Sequence, residues 1–174
     1  GLVICSILAF ANTWTVNKDH SEFMFQVEYL GMSKIHGRFK RFEGTVQLNE
    51  KNEPNAIQIQ IHASSIDTGN GLRDSHLRRS DFFSTLQYPY IYFKSIKISR
   101  NSNNEFEVDG KLSIKDITNT IKVKFTLTNE VVDTWGYKNR FVAFSSVLSR
   151  SQFNFHWNKT LSGQSFILSD EIEI

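Results

Sequence analysis

Four stretches of this chain change from apolar to polar at every residue, a period that fits a strand with one buried face and no other element. Phe23, Phe25, Val27 and Tyr29 alternate with Glu22, Met24, Gln26 and Glu28. Ile57, Ile59 and Ile61 alternate with Gln58, Gln60 and His62. Phe106, Val108, Gly110, Leu112 and Ile114 alternate with Glu107, Asp109, Lys111 and Ser113, and Ile121, Val123, Phe125 and Leu127 with Lys122, Lys124, Thr126 and Thr128. Polar segments separate the runs: Asn49 to Asn55, Arg100 to Asn104, and Lys115 to Asn119, the clearest hairpin. No long helical pattern lies between strands, so a parallel α/β sheet is disfavoured. Many strands with short turns describe an up-and-down antiparallel sheet that closes on itself.

Two places depart from this rhythm. Ile35 and Phe39 share one parity, while Phe42, Val46 and Leu48 share the other. One extra residue near Lys40-Arg41 restores the facing, which predicts a bulge or bend there. Gly37 and Gly44 flank it. The second departure is the long segment from Ser65 to Pro89, with a helix-compatible stretch from Leu72 to Arg79. A loop this long in a compact β domain is usually functional; one or two helical turns capping an end of the barrel are expected.

At 174 residues, with no internal repeat or linker, the chain fits one domain. Residues 1–11 form an apolar, uncharged run that is too short to span a bilayer and ends in Ala9-Phe10-Ala11. It reads as the remnant of a secretory signal peptide, leaving 12–174 as the domain; the alternative is an N-terminal strand. Charges of both signs are interspersed to a net of +2, so nothing calls for a nucleic-acid partner. Cys5 is the sole cysteine, which excludes an intrachain disulfide and a cysteine-built metal site. Fifteen Phe against two Met and two Pro suit strands and wide apolar interiors.

Candidates for chemistry are few. Arg73, Asp74 and His76 stand within four residues on the irregular segment. They could lock the loop as an ion pair, anchor a ligand's polar head, or serve acid–base chemistry. Catalysis is the least favoured: residues i and i+2 do not face one another on a helix, and no G-x-S-x-G elbow supplies a nucleophile. None of the five histidines shows metal-ligand spacing. Asp19-His20-Ser21 reads as a polar turn. Arg150, followed by Phe153, Phe155 and Trp157, suits a buried structural pair, a stacked cation or an anionic head group.

Motifs along the chain resemble the YceI-like family. They are Trp14-Thr-Val-Asn-Lys-Asp19-His20-Ser21, Gly37-Arg-Phe39 with Phe42-Glu-Gly44, Ser65-Ile66-Asp67-Thr68-Gly69, Arg73-Asp74-Ser-His76-Leu77 through Asp81-Phe82-Phe83, Tyr88-Pro89, Asp109-Gly110-Lys-Leu112, Arg150-Ser-Gln-Phe153, and Ser169-Asp170-Glu171-Ile172. The resemblance covers the chain from Trp14 onward. It implies an all-β, eight-stranded antiparallel lipocalin-like barrel with a short helical segment in the loop around residues 70–82. It also implies a pocket for a polyisoprenoid chain such as an isoprenoid quinone tail or polyprenyl phosphate, a periplasmic or secreted location, and no enzymatic activity. One departure is Asn154, where the family usually has Gly.

The resulting expectation is a carrier without a cofactor, its bound ligand an isoprenoid lipid or quinone. The apolar lining is assigned to Phe25, Val27, Phe39, Ile59, Phe93, Leu112, Val123 and Phe125. His20, Arg73, Asp74, His76 and Arg150 are polar candidates for a head group or a structural role. Transient membrane contact and a homodimer are compatible with this reading. The rivals are a protein that sequesters hydrophobic compounds, an enzyme using the barrel mouth, and a filled barrel acting through its surface.

Overall fold

A computed structural model describes residues 3–10, 12–158 and 167–174. In chain order the strands are β1 (Val3–Phe10), β2 (Thr13–Asn17), β3 (Phe23–Tyr29), β4 (Ser33–Phe39), β5 (Phe42–Leu48), β6 (Pro54–His62) and β7 (Ile66–Asp67). Helix α1 (Gly71–Leu77) follows, then β8 (Tyr90–Arg100), β9 (Glu105–Ile114), β10 (Ile117–Leu127), β11 (Val131–Val132), β12 (Lys138–Ser145), β13 (Val147–Ser149) and β14 (Leu168–Glu173).

A curled antiparallel sheet runs in the order β1-β2-β5-β6-β8-β9-β10-β12-β11. Because β1 pairs with both β2 and β12, eight of its strands return on themselves as a ring. The N-terminal run is thus a strand in the chain as given. A second sheet, β13-β14-β3-β4-β7, was not foreseen. Alternation reports which face of a strand is buried, not which strands pair. The chain passes between the sheets twice by bending: at Lys40-Arg41, between β4 and β5, and at Ser146, between β12 and β13. The first bend is the parity change read from the sequence. Phe39 and Phe42 are both buried, so the two intervening residues turn the inward face over.

The alternation assigned the inward faces of the long strands correctly. Ile57 and Ile61 of β6, Phe106, Val108, Leu112 and Ile114 of β9, and Val123, Phe125 and Leu127 of β10 are buried. The β9–β10 hairpin is tighter than Lys115 to Asn119: Ile114 pairs with Ile117 and Asn119 with Leu112. Only Lys115 and Asp116 turn, and Lys115 takes a positive φ of 56°. The interior has two apolar clusters. One, around Trp14, Leu48 and Phe106, fills the end of the ring. The other, around Phe39, Phe82, Phe153 and Phe155, lies toward the second sheet and the α1 segment.

Candidate functional site

Between these clusters the interior holds a cavity of about 280 Å³. One water needs roughly 10–15 Å³ of such space, and an engineered cavity of about 150 Å³ binds benzene. Its wall draws on both sheets and is almost wholly apolar. Phe25, Val27, Phe39, Ile59, Phe93, Leu112, Val123 and Phe125 all lie on it. The sequence reading omitted Phe23 and Ile35 in the second sheet, Val142 and Phe144 in β12, and Leu77, Phe82, Phe83, Phe153 and Phe155 in the covering segments. The adjacent apolar pair Phe82-Phe83 in a polar segment was the available signal. Phe83 meets Phe39 edge-on at 5.8 Å and Phe155 at 4.8 Å, so the α1 segment is fastened over the opening by rings.

Two glycines shape the wall. A Cβ on Gly110 would lie 2.3 Å from Cζ of Phe93, and one on Gly37 would lie 2.2 Å from Cζ of Phe25. Both rings therefore lie flat against bare backbone, and the lumen beside them stays open.

The polar candidates separate into individual ties. Arg73 lies on the cavity wall and donates from Nε to Thr68 Oγ1 at 2.7 Å and from Nη2 to the Thr68 carbonyl at 2.9 Å. Asp74 is buried and accepts from the Thr68 hydroxyl at 2.6 Å and the Thr68 amide at 2.9 Å. His76 pairs instead with Asp81 at 2.7 Å and sits edge-on to Phe82 and Trp157. The hydrogen bond from His76 holds the Asp81 carboxyl below its usual range. Arg73, Asp74 and His76 are therefore not one acid–base cluster: His76 is hydrogen-bonded to Asp81, while Arg73 and Asp74 meet at Thr68. Residue spacing alone did not reveal Thr68 as the shared partner of Arg73 and Asp74.

Arg150 also lines the cavity, yet its guanidinium is held by main-chain carbonyls: Ser169 at 2.9 Å, Phe155 at 3.2 Å and Trp157 at 2.7 Å. Burial pushes this group down from its ordinary pKa, with Asp170 pulling the other way. Asp170 itself is bound by the Ser149 hydroxyl and by the amide and hydroxyl of Ser151. Arg150 is thus a structural tie, to carbonyls rather than to a carboxylate. His20 is exposed in a 3-10 turn after β2, away from the cavity wall. Among the described residues no cluster of His, Cys, Asp or Glu could hold a metal ion. Asn154, where the family motif has Gly, adopts φ 57°, a left-handed conformation that Asn tolerates better than most residues.

The family model for the YceI-like domain matches residues 14–174. Protein YceI of Escherichia coli O157:H7 is 29% identical over 162 residues, covering 88% of this chain and 84% of the relative. Among solved structures, Burkholderia cenocepacia BcnA superposes with a TM-score of 0.73 at 20% identity, over 95% of this chain and 94% of that one. A Saccharophagus degradans domain described as polyisoprenoid binding and implicated in plant cell wall breakdown superposes at 0.60 with 10% identity, over 97% and 92% of the two chains. These structural likenesses show a shared fold. With the family model matched along nearly the whole chain, the protein belongs to the YceI-like family.

Proposed function

We propose that this protein binds a long apolar lipid of polyisoprenoid type inside the barrel and carries it reversibly through water. The observation that carries this reading is the apolar cavity walled by both sheets. Its shape narrows the ligand class. The lining runs from Val108 to Ile114 along β9, six rises of ~3.3 Å or about 20 Å. A lining of that length suits an extended chain. Each buried methylene contributes ~0.8 kcal/mol, so a five-carbon isoprene unit gains about 4 kcal/mol before ordering costs. The Saccharophagus relative's description points to the same ligand class.

The reading requires no catalytic group, and the separate engagements of Asp74 and His76 fit that. A quinone tail and a polyprenyl phosphate tail both satisfy it. A periplasmic or secreted location suits such a carrier. The test is native mass spectrometry of the purified chain, followed by solvent extraction and lipid identification. A discrete added mass that extracts as an isoprenoid is the expected result. A bare polypeptide mass, unchanged after incubation with an isoprenoid quinone and with a polyprenyl phosphate, refutes the reading.

A further inference from the structure

The α1 segment covers the cavity with Leu77, Phe82 and Phe83 turned inward, yet two of its leucines face solvent. Leu72 is 87% exposed and Leu86 is fully exposed. Both lie on the outer surface of the cap. Leu72 stands in the first turn of α1, which ends at Leu77, two residues before Arg79. The Ser84 amide then bonds the Arg79 carbonyl and the Thr85 amide the Arg78 carbonyl, folding the chain back so that Leu86 emerges beside Arg79.

Charge gathers at the same place. The bend 38–41 and the cap 64–89 together hold six basic and three acidic side chains, a local surplus larger than the net +2 of the whole chain. All three acids are already engaged: Arg38 and Lys40 bind Asp67, Thr68 binds Asp74, and His76 binds Asp81. Arg41 belongs to this surface through its bond to Ser64, and Arg41 and Arg79 are exposed. A larger exposed apolar group, Val131, Val132, Trp135, Tyr137 and Phe141 at the β11–β12 hairpin, has no such surplus. Its neighbours are the Lys138–Glu130 pair and Asp133.

We propose that the α1 cap is the face by which the protein docks on an anionic lipid bilayer. Leu72 and Leu86 enter the headgroup layer, while Arg41 and Arg79 meet the phosphates. Docking there sets the covered end of the cavity against the membrane, so an apolar chain passes between bilayer and lumen with little exposure to water. The purpose of this docking rests on the cavity reading above; the docking itself does not.

The test is flotation of the full chain with vesicles of phosphatidylcholine alone and of phosphatidylcholine mixed equally with phosphatidylglycerol. The chain is expected to float with the mixed vesicles and not with the neutral ones. The Leu72→Ser/Leu86→Ser double variant is expected to bind at least about tenfold more weakly, and Arg79→Glu to weaken binding further at low salt. Trp135→Ser/Tyr137→Ser is expected to float like the parent. All these side chains are exposed, so the variants fold. Failure of the parent to float overturns the proposal, as does loss of flotation in the Trp135/Tyr137 variant with retention in the leucine variant. A chain that floats yet never acquires an isoprenoid mass refutes the cavity reading and leaves the docking face standing.

Discussion

Substituting Gly110 with Ala tests directly whether the Phe93 ring holds the lumen open. The new Cβ would lie 2.3 Å from Cζ and 2.4 Å from Cε2 of Phe93, and 3.1 Å from the Lys94 carbonyl oxygen. A strand backbone paired on both sides cannot retreat, so the ring must leave its bed. Phe93 already lines the cavity, so the displaced ring moves into it. A cavity of roughly 150 Å³ is enough to hold benzene, so a displaced ring takes up a large share of the 280 Å³ present. Overpacking of this kind costs about 1–3 kcal/mol, a fall in Tm of roughly 2–12 °C for a chain of this size. Displacing two methylenes of a bound chain costs about 1.6 kcal/mol, more than tenfold in affinity. The assay is titration with a fluorescent polyene fatty acid, paired with thermal unfolding. Leu has no atoms at the positions of Cζ and Cε2, so Phe93→Leu/Gly110→Ala should recover most of both losses. Parental affinity and Tm in the single variant, or no recovery in the double, would refute the argument.

Three further outcomes follow from the same structure. Leu112→Asp sets a carboxylate on the cavity wall and should abolish lipid retention, whereas Lys111→Asp, on the outer face one residue away, should retain it; copurified lipid decides between them. Asp74→Ala strips the buried acceptor from the Thr68 amide and hydroxyl and should cost about 2–3 kcal/mol, read as a Tm lower by roughly 5–10 °C. Lys40, then the Gly69 amide and Arg38, hold Asp67 at about 2, below its ordinary 3.8, so its contribution to stability is present above pH 3.8 and is lost as pH falls through about 2. Carboxyl NMR should find that low midpoint, and Lys40→Ala should move it upward.

The faces of the strands were legible because one side meets water and the other does not: Lys122, Lys124 and Thr126 had to point away from Val123 and Phe125. The bend was legible for the same reason, since Phe39 and Phe42 cannot both face inward on an unbroken strand. Strand partnership was not. β3 and β14 are 139 residues apart at the pair Tyr29–Leu168, and nothing local in either names the other. Polar roles were least legible. Arg150 finds the carbonyl of Ser169, and Arg73 the side chain of Thr68, through the fold rather than through spacing.

The two sheets differ in how much backbone pairing secures them. β9 is bonded along nearly its full length to β8 on one side and β10 on the other. In the second sheet β7 contributes two paired residues, β13 three, and the β14–β3 register breaks between Leu168 and Ile172. Local opening costs least where few ladder bonds must break, so amide exchange is fastest in β13, β14 and β7 while β8–β10 stay protected. The barrel is therefore a stiff trough with one compliant wall. Under the proposed lipid-binding role, a guest broader than the resting lumen is expected to be accommodated by that wall yielding.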